Sequence, residues 1–171
     1  MKRTLTVLAA MGLVASLALV GPLSAQSGNK YGPTTRSEDC GSDGSMTVEI
    51  NGPEKLWPPN HKYVPVTITA TDEDGDDVSL ATEGTHDQYD GDTEINGAGH
   101  TADDVSPAAD SDSGAGEATT SHDVRAERSG RIKEGRVYTI SYEASGGSDD
   151  SCMGSFTITV PHDMRGGADW K

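Results

Sequence analysis

LWPPNHKYVPVTITATDEDGD occupies residues 56 to 76. Inside it, Tyr63 to Thr71 alternates: Val64, Val66, Ile68 and Ala70 point one way, and Pro65, Thr67, Thr69 and Thr71 the other. A period of two marks a strand with one buried and one wet face. Pro65 offers no N–H to a ladder and falls on the wet face, so this strand starts at an edge or a bulge. The same period recurs along the chain. Met46, Val48 and Ile50 share a face before Asn51-Gly52-Pro53, and Val78 and Leu80 mark a short third strand. Order resumes at His122–Ala126, with a turn at Ser129-Gly130 or Glu134-Gly135. Arg136–Ala144 is the strongest strand, with Tyr138, Ile140, Tyr142 and Ala144 on one face; Ser155–Val160 is the last, and Pro161 stops it. No stretch after the N-terminal leader holds a 3.6-residue period over ten residues. Five or six alternating strands, 21 glycines and 8 prolines predict an all-β, two-sheet sandwich. With 33% hydrophobic and 5% aromatic residues, the core between the sheets is thin.

The first 25 residues read differently. Lys2 and Arg3 precede an apolar run from Leu5 to Val20; Gly21-Pro22 breaks it, and Leu23-Ser24-Ala25 supplies small residues for cleavage. This is the layout of a secretory signal peptide, and the run is short for a membrane span. The mature chain is then expected to be exported, extracellular or periplasmic, and not embedded in a membrane. Removing Lys2 and Arg3 with no acid moves the net charge from -15 to -17. That sign argues against nucleic acid or anionic lipid as partner. Roughly 145 residues remain, one domain's worth. Residues 26–45 read as a flexible polar lead-in, 46–163 as the sandwich, 84–121 as a long polar loop without apolar anchors, and 164–171 as a tail.

Cys40 and Cys152 are the only cysteines. In an exported chain an even pair is most simply a disulfide. Glu38, Asp39, Asp43, Asp149 and Asp150 surround them, and neighbouring carboxylates make a thiol sluggish rather than nucleophilic. Each cysteine precedes a strand, the first and the last, and in such a sandwich those starting ends come within disulfide reach.

The stretch Leu56–Asp76 resembles the opening of a bacterial secreted immunoglobulin-like domain family, related to hyalin-repeat modules, which begins Leu-Trp-Pro-Pro-Asn-His-Lys and continues into a Val-Pro-Val strand. EINGAGHTADDV (94–105) looks like that family's middle loop. VRAERSGRIKEGRVYTISYEAS (124–145) and FTITVPHD (156–163) look like its closing strands. The chain departs from the pattern at Gly146–Asp150 and Cys152, where the family carries a Ser-Gly-Asn turn, and in its expanded middle. The resemblance implies a module of exported or surface proteins with no established catalysis.

The chemical candidates are few. Trp57 reads as a plug for one open end of the sandwich, with His61 and Lys62 capping the strand; His61 has no HxH or HxxxH partner to make a metal site. Asp72, Asp74 and Asp76 alternate around a turn, as calcium ligands can, with Asp87, Asp90 and Asp92 as further donors. Counted from Asp72, position twelve is Glu83 but position six is Asp77 and not glycine, so the run is not an EF-hand. Calcium ligation and a merely solvated acidic turn both stand as readings. There is no Gly-x-Ser-x-Gly, HExxH or phosphate loop, and aromatics are too few for a usual sugar-cleaving cleft, so no enzyme is expected. Arg125, Arg128, Arg131, Lys133 and Arg136 gather positive charge in one stretch, read as a hairpin whose cations pair with acidic loops, or otherwise as a surface for an acidic partner. Tyr138, near the start of the penultimate strand, is the residue expected to tie a corner through its hydroxyl. The function that results is a secreted non-catalytic structural or binding module with a protein or glycan partner; a calcium-stabilised adhesion domain and a carbohydrate-binding module are the alternatives.

Overall fold

The computed structural model describes residues 32–40, 45–88, 103–130, 132–147 and 151–163. The leader 1–25, the tail 164–171, and Asp90, Asp92 and Arg131 lie outside the described residues. Among the described residues nine strands follow one another: β1 (Thr34–Cys40), β2 (Met46–Gly52), β3 (Tyr63–Asp72), β4 (Asp77–His86), β5 (Val105–Ser106), β6 (Ala109–Ala115), β7 (Glu117–Arg125), β8 (Arg136–Ser145) and β9 (Ser151–Val160). One sheet has the order β1-β2-β3-β7-β5 and the other β6-β4-β8-β9. The runs β2-β3-β7-β5 and β4-β8-β9 reproduce the A-B-E-D and C-F-G arrangement of an immunoglobulin-type sandwich. β1 adds a strand outside the first, and β6 adds one beside the fourth.

The alternation read from the sequence becomes the inner face. Val66, Ile68 and Ala70 of β3 meet Tyr138, Ile140, Tyr142 and Ala144 of β8, with Met46, Val48, Ile50, Phe156 and Ile158 around them, all buried. Thr67, Thr69 and Thr71 occupy the outer positions of β3. The quoted stretch carries the chain across one end of the sandwich. Leu56, 1% exposed, enters the core while Trp57 is only half-buried. The plug at this end is therefore the leucine, because its neighbouring backbone is held against the second sheet: Leu56 N–H donates to Thr159 O (2.9 Å) and Thr159 N–H to Glu54 O (2.9 Å).

Three stretches differ from the reading above. Thr34–Cys40, inside the expected lead-in, is β1, paired in register with β2 from Thr34↔Gly52 to Cys40↔Met46. Of the expected loop 84–121, Gly84–His86 belong to β4 and Val105 onward forms β5, β6 and most of β7. The short third strand is ten residues long. In each case the strand was hidden for lack of large apolar side chains. β7 buries Ala118, Thr120, His122 and Val124, and β1 is exposed up to its last residue.

β6 and β7 belong to different sheets, joined through Gly116 at φ 75. β6 then lies along the side of β7, with carboxylates in place of a backbone ladder: Thr119 N–H donates to Asp112 Oδ2 (2.8 Å) and Ser121 N–H to Asp110 Oδ2 (3.0 Å). Cys40 and Cys152 form a disulfide, with Cα atoms 5.6 Å apart, which ties the two sheets because β1 and β9 are edge strands of different sheets. Beside it Tyr142 donates to Glu38 Oε2. The ring passes Gly154, where a Cβ would strike the Tyr142 hydroxyl. Burial first, then the hydrogen bond to Glu38 and its negative charge, push the Tyr142 hydroxyl well above its ordinary range.

Candidate functional site

Buried polar side chains gather at the end of the sandwich that the quoted stretch crosses. Arg136, the first residue of β8, is fully buried, and its guanidinium pairs with Asp104, also buried. The same guanidinium donates to Gln88 Oε1 (3.2 Å) and Tyr138 Oη (3.2 Å). Gln88 accepts Ser129 N–H (2.9 Å) and donates to Gly135 O. Tyr138 donates to Arg125 O at the end of β7 (2.8 Å). This is the corner geometry of an immunoglobulin-type sandwich, a tyrosine near the start of strand F, here β8, bonded back to the backbone before it.

The next layer holds Glu127, fully buried, with Oε2 3.1 Å from Arg125 Nε and 3.2 Å from His61 Nδ1. His61 sits at φ 61, the left-handed region that a side chain usually avoids. Its N–H donates to Ala126 O (3.0 Å), and Ala126 N–H donates to Lys62 O (2.8 Å). His61 therefore continues the β3–β7 ladder around the bend and faces an acid already paired with an arginine.

A second buried group lies between the sheets. His122 of β7, fully buried, has Nδ1 2.7 Å from Pro107 O and Nε2 2.8 Å from Thr82 Oγ1 on β4. A carbonyl only accepts, so in the neutral ring Nδ1 carries the proton and Nε2 accepts from the threonine hydroxyl. A hydroxyl beside a basic ring nitrogen, oriented by a third group, is the arrangement of an activated nucleophile. Here Thr82 is buried as well, and the pair ties the two sheets.

The acidic turn is held in part by its own backbone. Asp72 is buried and its Oδ1 accepts Asp74 N–H (2.9 Å), while Asp74 and Asp76 are exposed. Asp87 Oδ1 accepts Val137 N–H (2.9 Å). Among the described residues no three His, Cys, Asp or Glu side chains converge as a metal site. The basic stretch is not one surface: Arg136 is in the core, Arg125 faces Glu127, and Arg128 donates to Pro161 O (3.0 Å) and His162 O (2.6 Å). Of its described members only Lys133 is exposed. The reason is that β8 begins at Arg136 itself, on the inward side of the alternation.

Sequence reasoning did not find Gln88, Asp104, Thr82, His122 or Glu127. For His122 the signal was present, since it shares the inward side of Ala118, Thr120 and Val124. The outer face of the second sheet has a shallow open hollow of about 760 Å³, with Ala81, Ala109 and Gly154 between Glu83, Glu143 and Met153. Among the described residues no helix is long and apolar enough to cross a membrane. In comparisons with known proteins, no family model, no curated protein and no solved structure matches the chain.

Proposed function

We propose that this chain is exported and serves outside the cytoplasm as a non-catalytic structural or binding module built on one immunoglobulin-like sandwich. The observation that carries the reading is the disulfide between Cys40 and Cys152, a bond that persists in oxidising compartments and is rare in reducing ones. Three further features support it: the leader of residues 1–25, the resemblance over Leu56–Asp163 to secreted immunoglobulin-like domains, and the use made of the reactive side chains. His61, His122, Thr82, Glu127 and Arg136 are each engaged by another part of the fold. A module of this kind works through its surface.

The test is to express the full chain in a bacterium and follow its location, its N-terminus and its thiols by mass analysis. The expected product is cleaved after Ala25, lies outside the cytoplasm and has no free thiol. An uncleaved cytoplasmic product with two free thiols would overturn the export reading. Turnover of a chromogenic ester, phosphate or glycoside that is lost in Thr82→Val or Glu127→Gln, with the fold intact, would overturn the non-catalytic one.

A further inference from the structure

Among the described residues, the edge strands β1 and β6, and the part of β7 beyond β5, are guarded against pairing with another chain. β1 carries Arg36, Glu38 and Asp39, and β6 carries Asp110 and Asp112. The N–H groups of Thr119 and Ser121 on β7 are taken by the carboxylates of β6. β9 is different. Ser151–Val160 contains no charged residue and no proline, the two devices that usually protect an edge.

The direction of its backbone groups follows from one contact. Thr159 N–H donates to Glu54 O and Thr159 O accepts Leu56 N–H, so both polar groups of Thr159 point away from β8. The β8–β9 register runs without a break from Arg136↔Val160 to Ser145↔Ser151. In an antiparallel ladder, alternate residues turn both groups to the same side. Met153, Ser155 and Thr157 therefore present N–H and C=O outward as well, and no backbone hydrogen bond from the other described residues reaches them there. All three are exposed, Met153 by 74%. The Glu54–Leu56 segment, bridged in parallel at Lys55↔Thr159, already uses the far end of this edge as a strand template.

Charge selects the occupant. Glu143 lies directly opposite Met153, and Glu83 lies beyond Ser141, which faces Ser155. These residues share the outer face of the sheet. A strand added to β9 would put its outer side chains about two strand spacings, on the order of 10 Å, from Glu143, with Glu83 about one spacing farther. An extended Lys or Arg side chain and a glutamate close that gap between them, with the aliphatic stem lying on Met153. A second copy would instead bring a further strongly negative charge, -15 for the full chain. We propose that the Ser151–Thr157 edge of β9 docks an extended segment of a partner protein that has basic side chains at alternate positions, by strand addition. The proposal rests on reading the chain as a binding module, and its test uses purified oxidised protein, independent of export.

The probe is a blocked octapeptide of alternating Lys and Thr, with its Glu-Thr counterpart and a version N-methylated at alternate amides. Amide exchange of Met153, Ser155 and Thr157 is followed by NMR, and binding by calorimetry. The expected result is fast exchange at these amides in the free protein, slowed at least tenfold by the Lys-Thr peptide and by neither of the other two, with binding weakened by salt. Ser155→Pro removes an N–H that β8 does not use; it should keep the fold and weaken binding at least tenfold. Met153→Glu, which does not touch the backbone, should strengthen the preference for the basic peptide. Protection of the three amides in the free protein, by the chain itself or by a second copy, would overturn the proposal. So would equal binding of the Lys-Thr and Glu-Thr peptides, no slowing at millimolar Lys-Thr peptide, or wild-type binding by a folded Ser155→Pro variant.

Discussion

Replacing both Cys40 and Cys152 by alanine removes the disulfide cross-link between the sheets and leaves no lone thiol. The cysteines are 112 residues apart, and loop closure of that length restricts the unfolded chain by about 5 kcal/mol at room temperature. Against a usual total of roughly 5–15 kcal/mol, that is a large share, equivalent to about 20 °C in Tm for a domain of this size. Urea melts of the oxidised protein and the double variant, at the same pH, measure the difference. A second readout separates two ways of losing it. If the variant keeps its native contacts, the Tyr142 hydroxyl stays bonded to Glu38 and its titration, read by tyrosinate absorbance, stays far above the ordinary range. If β1 detaches while β2 to β9 remain folded, Tyr142 loses the Glu38 contribution and its titration moves down, with only burial holding it up. A loss under about 2 kcal/mol with the Tyr142 titration unmoved would refute the chain-entropy reasoning.

Asp104→Ala leaves the fully buried Arg136 guanidinium without its counter-charge and is expected to destabilise by about 4 kcal/mol in urea melts, whereas Asp104→Leu combined with Arg136→Met should cost far less; a single-variant loss under about 1 kcal/mol would contradict the pairing. Tyr138→Phe removes the bond to Arg125 O and should cost about 1 kcal/mol, seen as a lower urea midpoint at unchanged slope. The folded Tyr142 hydroxyl titrates above its unfolded value near 10, so its contribution is fully present below about pH 10 and is lost as the pH rises beyond it; Tyr142→Phe should flatten that alkaline decline. Millimolar calcium is expected to leave Tm unchanged, because Asp72 is engaged within its own turn; a rise abolished by Asp74→Ala would restore the calcium-adhesion alternative.

The core strands were legible because large apolar residues recur at every second position: Val66, Ile68 and Ala70, or Tyr138, Ile140 and Tyr142, admit no other period. β1 and β6 were not, since neither has an apolar face to show; TTRSEDC and ADSDSGA are held by their neighbours' ladders and not by burial. In β7 the inward positions are filled by Ala118, Thr120 and His122, small or polar groups that a hydrophobic alphabet passes over. The polar cluster was hidden for a different reason. Arginine is among the residues least expected inside a fold, and what makes Arg136 tolerable there is Asp104 and Gln88, 32 and 48 positions earlier. Such a pairing depends on topology, which a local pattern does not carry.

The bond between Cys40 and Cys152 also fixes how the molecule meets force. If the chain is pulled from its two sides, tension entering before Thr34 and beyond Val160 crosses from β1 to β9 through the sulfur atoms. The residues between the two cysteines then lie outside the line of pull. Stretching can straighten only what lies outside that loop, at about 3.5 Å per residue, so β1 and the later part of β9 can be peeled while the enclosed chain cannot be drawn out. A tether made of such units would lengthen in short, limited steps, and reducing one bond would release a length of chain several times greater.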